Sequence, residues 1–127
     1  MGIRRTKQRQ AILNQLLSAD GPLSVNEVHE RASAELPGLG MATVYRTIKA
    51  LKEEGMISVV ELPGEDPRYE SAGLGHHHHF RCLSCEQTFD LGACPVGIPR
   101  GTTLPGGYTV EDHSLTLYGR CSACPAN

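Results

Sequence analysis

The chain has 127 residues and a formal net charge of −2, with 39% hydrophobic and only 5% aromatic residues. This length suffices for one ordinary domain or two small ones, and the low apolar content predicts that something besides core burial stabilises part of the chain. No apolar run approaches the roughly 20 residues of a membrane span, and no apolar stretch follows the first charges as a signal peptide requires. We therefore expect a cytoplasmic protein with no membrane partner, whose five cysteines indicate metal binding rather than disulfides.

The N-terminal part predicts three short helices. The first covers residues 6–19, where apolar residues repeat with helical spacing until an Asp-Gly-Pro turn. The second begins with a capping box, in which Ser24 accepts from the amide of Glu27, and ends at a Pro-Gly pair. The third covers residues 41–54, and Gly55 follows it as a C-terminal cap.

After the third helix the apolar period falls to two. This pattern predicts strands over residues 57–62 and 68–71, joined by a turn that contains two prolines and a glycine. Three helices followed by a hairpin are typical of a winged helix.

Basic residues are concentrated in the helical part. Residues 1–60 carry eight Lys/Arg against six Asp/Glu, whereas residues 61–127 carry four against eight. This excess fits contacts with nucleic-acid phosphates, and the alternative is a solvated helix face. The basic residues that we expect to contact phosphates are Lys7, Arg9 and Lys49.

The third helix carries side chains suited to reading DNA. If it is the recognition helix of a helix-turn-helix, its N-terminal residues enter the major groove. Thr43, Tyr45 and Arg46 are long or polar enough to contact bases and phosphates there. The alternatives are a core position for Tyr45, three residues before the inward-facing Ile48, and a surface role for Arg46.

Two CxxC motifs mark the C-terminal part as metal-binding. Cys82 with Cys85, and Cys121 with Cys124, each direct two thiolates to one ion, and together they form the closed set of a structural zinc site. Such a site contributes about 10 kcal/mol to folding in small zinc modules, which compensates for a thin core. The alternative is free or redox-active thiols. The fifth cysteine, Cys94, is either a spectator or a substitute ligand.

Four consecutive histidines precede the first CxxC motif. If they form the strand that leads into it, His77 and His79 point to one side, and His76 and His78 to the other. With acidic residues on either side, the two pairs are starting points for two metal sites. The alternative is a solvated polar strand.

Four segments in combination resemble a known family over nearly the whole chain: Thr6-Lys7-Gln8-Arg9, Gly40 to Ile48, His76 to Cys85, and Leu117 to Cys124. This family is the ferric uptake regulator (Fur) superfamily. The resemblance implies an α+β protein with an N-terminal winged helix-turn-helix over residues 1–72 and a small α/β dimerisation domain over residues 73–127. It also implies a homodimeric repressor that binds palindromic operator DNA when a second divalent metal, the corepressor, is bound.

The resemblance further implies three ligand sets. The structural zinc takes Cys82, Cys85, Cys121 and Cys124. The regulatory metal takes Glu70, His77, His79 and Asp90. A further site takes His76, His78 and His113.

Two departures from the family pattern bear on the metal. The loop before the second helix lacks the histidine that iron-sensing members carry there, which favours Zn2+ as corepressor. Residues 92–99 are too rich in Pro and Gly to form the long helix of the dimer domain in full, so its usual acidic residue has no match. Sensing of Fe2+, Mn2+ or peroxide is the alternative within the family.

A zinc-dependent enzyme is the alternative from another class, with the histidines holding a catalytic ion. The sequence contains no HExxH stretch and no deaminase-type HxE and PCxxC arrangement. We therefore expect a regulator and not an enzyme.

Overall fold

The computed structural model describes residues 2–75, 77–92 and 94–124. The chain forms two compact units, residues 1–75 and 76–127. None of the helices in the described ranges has the length and apolar content to cross a membrane. The helices and strands of the described residues are, in chain order, α1 (Gly2–Ser18), β1 (Leu23–Ser24), α2 (Val25–Glu35), α3 (Met41–Glu53), β2 (Ile57–Val60), β3 (Arg68–Ser71), β4 (His78–Cys82), β5 (Thr88–Leu91), β6 (Thr103–Leu104), β7 (Tyr108–Thr109) and β8 (Thr116–Gly119).

The first unit contains the apolar core. One face of each helix packs into it, together with residues of the small sheet; its fully buried members include Ile12, Val28, Ala32, Val44 and Leu51. The sheet has the order β1-β3-β2 and is antiparallel throughout. The three helices and the hairpin therefore occur in the predicted order.

Local signals set the ends of α2 and α3. The Ser24 hydroxyl accepts from the Glu27 amide at 3.2 Å, and the Glu27 carboxylate accepts from the Ser24 amide at 2.9 Å. At the end of α3, Gly55 adopts φ +78° and donates to the Lys52 carbonyl, while Met56 donates to the Leu51 carbonyl. This bonding is a Schellman motif, which satisfies two carbonyls at the end of the helix.

Two predicted boundaries differ from the structure by more than one residue. Helix α1 begins at Gly2 rather than residue 6, because Arg4 and Arg5, which precede residue 6, are good helix formers. Strand β2 ends at Val60 rather than residue 62, because the Leu62 carbonyl accepts from the Glu65 amide in the turn.

A buried ion pair joins the sheet to α2. Arg68, on the central strand β3, is 6% exposed. Its guanidinium donates to the carboxylate of Glu27 and to the carbonyl of Pro22. Glu27, the second member of the capping box of α2, is thereby tied to the hairpin.

The second unit is built on a sheet of order β5-β4-β8. Strands β4 and β5 form an antiparallel hairpin, and β8 pairs with β4 in parallel. Strands β6 and β7 form a separate two-stranded sheet. The described residues of this unit contain no helix, which differs from the expected α/β domain and agrees with the Pro and Gly content of residues 92–99.

The second unit has almost no apolar core. Of its described residues, only His78, Cys82 and Thr88 are buried. Two of these three, His78 and Cys82, are residue types that commonly bind metals. With so few buried apolar side chains, core burial alone cannot stabilise this unit.

Candidate metal centres and DNA-contacting helix

The four cysteines of the CxxC motifs lie together in the second unit. Cys82 ends β4 and Cys85 lies in the turn that leads to β5, and the parallel pairing of β8 with β4 brings Cys121 and Cys124 beside them. The four sulfur atoms lie within 4.8 Å of one another, and the Sγ atoms of Cys85 and Cys121 are 3.9 Å apart. Four thiolates at about 2.3 Å from a tetrahedral ion stand about 3.8 Å apart, so the observed spacing fits such an ion.

Backbone amides prepare this cluster for negative charge. The amides of Cys85 and Cys121 each donate to the Sγ of Cys82 at 3.4 Å. These hydrogen bonds, that of Cys85 first, lower the pKa of Cys82 to about 6. The hydrogen bond with Cys121 raises the pKa of Cys124 to about 12. The thiolate form of Cys82 is therefore favoured even without a cation. Cys124 keeps its proton until a cation replaces that proton.

The first CxxC turn closes through Glu86. This residue has φ +64°, the left-handed conformation that a side chain disfavours. Its amide donates to the Cys82 carbonyl, and the Cys82 amide donates to the Gln87 carbonyl. These bonds hold the turn so that both thiols of the motif face the same point.

His77, His79 and Asp90 form a second cluster. Strand register places His79 opposite Asp90, and the Nε2 of His79 lies 3.2 Å from an Asp90 carboxylate oxygen. The Nε2 of His77 lies 3.5 Å from the same oxygen. Two imidazoles and one carboxylate are a donor set for a divalent metal. Glu70, the fourth predicted ligand, lies buried on β3 of the first unit.

The opposite side of β4 carries a third cluster. The Nε2 atoms of His78 and His113 are 3.0 Å apart, and the Sγ of Cys94 is 3.3 Å from the same His113 atom. His78 and His113 were both predicted for a further site, whereas His76 lies outside the described residues. Cys94 belongs to the same cluster. Of its two sequence-based interpretations, spectator or substitute ligand, its position beside His113 favours the second.

The exposed face of α3 carries the predicted DNA contacts. Val44, Ile48 and Leu51 are buried on its inner face, whereas Tyr45 is 59% exposed. The alternative of a core position for Tyr45 is therefore wrong. Arg46 and Lys49 are also exposed, and Thr43 is half-buried and accepts a hydrogen bond from Arg46 at 3.3 Å.

A groove between α1 and α3 continues this basic face. Arg5, Arg9, Thr43 and Arg46 line it, and Lys7 lies exposed on α1. Arg9 is bound by Glu54 through two hydrogen bonds, of 2.6 and 3.1 Å. These bonds are the main reason that the pKa of Glu54 is lowered and that of Arg9 raised. While Glu54 binds Arg9, it neutralises the guanidinium and occupies two of its five N–H donors, so Arg9 offers its full charge to a phosphate only after release. No spacing in the sequence indicated this pair.

A comparison with protein families decides among the function classes. The sequence model of the ferric uptake regulator family matches residues 1–118. The chain belongs to this family. Family members are metal-responsive transcriptional regulators and not enzymes, so the expectation of a regulator is confirmed and the zinc-enzyme alternative is set aside. They bind operator DNA and are generally dimeric.

The relatives within the ferric uptake regulator family are named for the regulation of different metals. The chain is 32% identical to the ferric uptake regulation protein of Synechococcus elongatus, over 97% of the chain and 86% of that protein. It is 29% identical to the zinc uptake regulation protein of Mycobacterium tuberculosis, over 97% and 95%. A solved structure of a zinc-bound manganese uptake regulator shares the fold with a TM-score of 0.75 at 23% identity, covering 94% of both chains.

Proposed function

We propose that the chain is a repressor that binds palindromic operator DNA as a homodimer when its regulatory metal site is filled, and that it controls metal homeostasis with zinc as the favoured effector. The presence of two unlike donor sets in one unit carries this proposal. A closed set of four thiols suits a permanent structural ion, whereas imidazoles with a carboxylate suit an exchangeable one. We expect the protein to act in the cytoplasm, where it reaches DNA.

Residues 1–72 act as a winged helix-turn-helix in this proposal. Helix α3 is the reading helix, because its inner face is buried in the core and its outer face is exposed and basic. Thr43, Tyr45 and Arg46 contact base edges and nearby phosphates. The phosphate contacts outside this group come from Lys7, Lys49 and, once released from Glu54, Arg9.

Residues 73–127 act as the zinc-binding dimerisation domain. Cys82, Cys85, Cys121 and Cys124 hold the structural zinc. Their sulfur spacing and the two amide hydrogen bonds to Cys82 support this role. Two copies held together present two reading helices, and a two-fold dimer requires a palindromic operator.

Glu70, His77, His79 and Asp90 hold the regulatory metal. When bound, a divalent ion would accept lone pairs from the two carboxylates and the two neutral imidazoles. Because Glu70 belongs to the DNA-binding part and the other three belong to the dimer domain, joint ligation limits the orientations that the reading helices adopt. A further site on His76, His78 and His113 adds to this regulation.

Zinc is the favoured effector because the loop before α2 holds Gly21-Pro22-Leu23, with no histidine. The zinc uptake regulator among the relatives supports this choice. Iron, manganese or peroxide responsiveness is the alternative, and the ferric uptake relative of similar coverage supports iron.

The test ranks metals by their effect on operator binding. The full chain with one structural zinc is mixed with a palindromic duplex recovered by selection from a randomised DNA pool. Binding is followed by fluorescence anisotropy during titration with Zn2+, Fe2+, Mn2+ and Ni2+. We expect Zn2+ to raise the affinity of the protein for the operator. By thermodynamic linkage, the operator must raise the affinity of the protein for Zn2+ by the same factor.

The His77→Ala variant provides the decisive comparison. It should lose metal-activated binding yet keep the structural zinc and the dimer, because the four-cysteine cluster shares none of its side chains with the His77 cluster. Thr109→Ala, exposed on β7, is the control and should respond as the wild type does. Full metal activation of His77→Ala would contradict the proposed regulatory site.

A further inference from the structure

The cluster of His78, Cys94 and His113 has a geometry that hydrogen bonding alone explains poorly. The Nε2 of His113 faces both the Nε2 of His78, at 3.0 Å, and the Sγ of Cys94, at 3.3 Å. A neutral imidazole Nε2 offers either one N–H or one lone pair in the ring plane, so it makes one well-aligned hydrogen bond there. Three donor atoms that converge in this way are better explained by a shared cation.

The distances support the same conclusion. A tetrahedral ion with nitrogen ligands at about 2.0–2.1 Å and a sulfur ligand at about 2.3 Å holds these donors about 3.3–3.6 Å apart. The observed 3.0 and 3.3 Å are within a few tenths of an ångström of that spacing. Binding therefore requires only a small outward movement of the side chains.

We infer that Cys94 is a thiolate ligand of a metal ion held with His78 and His113, and that it makes this site select zinc-like, thiophilic ions over Mn2+ and Fe2+. The inference deepens the proposed function, because it gives the further site a ligand and a metal preference.

Burial makes this donor set rigid on one side and accessible on the other. His78 is 1% exposed, and its strand β4 is paired with β5 and β8 on both edges. Cys94 and His113 are half-buried, so an ion can enter from their side. One buried imidazole and two half-buried ligands fit an ion that can reach the site from solvent.

The two clusters on either side of β4 differ in one donor. His77 and His79 lie beside the carboxylate of Asp90, whereas in the other cluster the sulfur of Cys94 lies beside His113. Carboxylate oxygen suits Mn2+ and Fe2+ as well as zinc, but thiolate sulfur favours softer ions. Cys94 is thus the residue that separates the two sites chemically.

The first experiment uses Co2+ as a spectroscopic probe on the full chain with its structural zinc in place. Binding at the inferred site should add a thiolate-to-cobalt charge-transfer absorption while the zinc content stays constant. Cys94→Ser should abolish this absorption, and His77→Ala should keep it. An undiminished absorption in Cys94→Ser would overturn the inference.

The second experiment measures selectivity rather than affinity alone, because most sites bind Zn2+ more tightly than Mn2+. Cys94→Ser should weaken Zn2+ binding at this site by at least about tenfold, since even the loss of an outer-shell partner costs 10–100-fold. Cys94→Asp should lower the ratio of Zn2+ to Mn2+ affinity. An unchanged ratio in a Cys94→Asp protein of wild-type melting temperature would overturn the selectivity.

Failure of the inference and failure of the proposed function give different results. If the proposed function is wrong, no metal activates operator binding, yet the cobalt absorption still depends on Cys94. If the inference is wrong, the absorption is independent of Cys94, while His77→Ala still loses metal-activated DNA binding.

Discussion

The side chains of Tyr45 and Arg46 lie on the part of α3 that the core leaves exposed. Helical spacing alone did not decide the position of Tyr45, because a residue three before Ile48 can lie at the edge of the buried stripe. The structure leaves 59% of Tyr45 exposed, so its ring area is available to another molecule. An aromatic ring and a guanidinium side by side suit thymine methyl groups, guanine edges and phosphates.

Arg46→Ala should weaken binding to the selected operator by about 1–3 kcal/mol, because one forked contact to a base or phosphate is lost. Metal content should not change, since Arg46 belongs to the first unit. Fluorescence anisotropy with operator and scrambled duplexes measures both affinities. Lys7→Ala, by contrast, should weaken binding to both duplexes equally and reduce the salt dependence.

Arg100→Ala is the matched control for this series. Arg100 is exposed in a turn of the second unit, so its removal lowers the charge by the same amount without changing a residue of α3. The affinity of the Arg100→Ala variant for operator DNA should equal that of the wild type. Equal affinities of Arg46→Ala and Arg100→Ala would contradict the assignment of α3 as the reading helix.

At the scale of elements, Arg68 connects β3 to the start of α2. Its side chain is 7% exposed, and its partner Glu27 also closes the capping box. The hairpin and the helix before α3 therefore share one hydrogen-bonded network. A displacement of the hairpin is opposed by the loss of this ion pair as well as by the sheet.

Arg68→Ala should lower the free energy of unfolding of the first unit by about 2–4 kcal/mol. Removing one partner of a buried ion pair leaves the other uncompensated, and Glu27 retains some exposure, which limits the cost. Urea unfolding followed by hydrogen exchange at the α2 amides measures the effect in that unit. The double variant Arg68→Met with Glu27→Gln should recover part of the loss, and an Arg68→Ala protein with unchanged exchange would contradict this role.

The elements that sequence predicted well are those with local signals. The Ser24–Glu27 capping box and the Gly55 terminus involve residues within five positions of each other, so spacing alone reveals them. Arg68 with Glu27 and Arg9 with Glu54 join residues more than 40 positions apart. Sequence spacing does not predict such pairs, because they depend on how the helices and the hairpin pack together.

At the scale of the whole molecule, the two units are stabilised by different means. The first has an apolar core, whereas the described part of the second has three buried residues and a cluster of four thiols. The CxxC spacing predicted the cluster, because each motif brings two thiols together in one turn. The inclusion of Cys94 beside His113 was not predictable in the same way, since it depends on the course of the chain between β5 and β8.

Cys121→Ser should release about one zinc per chain and unfold the second unit, because metal binding supplies most of its folding free energy. The first unit should stay folded, since its core contains none of these side chains. Metal analysis, sedimentation and hydrogen exchange resolved by unit measure the three effects. Ser122→Ala, exposed in the same turn, is the control; a Cys121→Ser chain that keeps its zinc and its exchange protection would contradict a structural role.

The parallel pairing of β4 with β8 has a consequence for newly made protein. Strands β4 and β5 meet through a short turn, but residues 83–115 separate β4 from β8. Closing this long loop is slow compared with forming a hairpin. The hairpin thus offers Cys82 and Cys85 to an ion before Cys121 and Cys124 arrive. We therefore expect chains made without metal to stay longer in this half-assembled state, where proteases can cleave them, and less of the protein to accumulate.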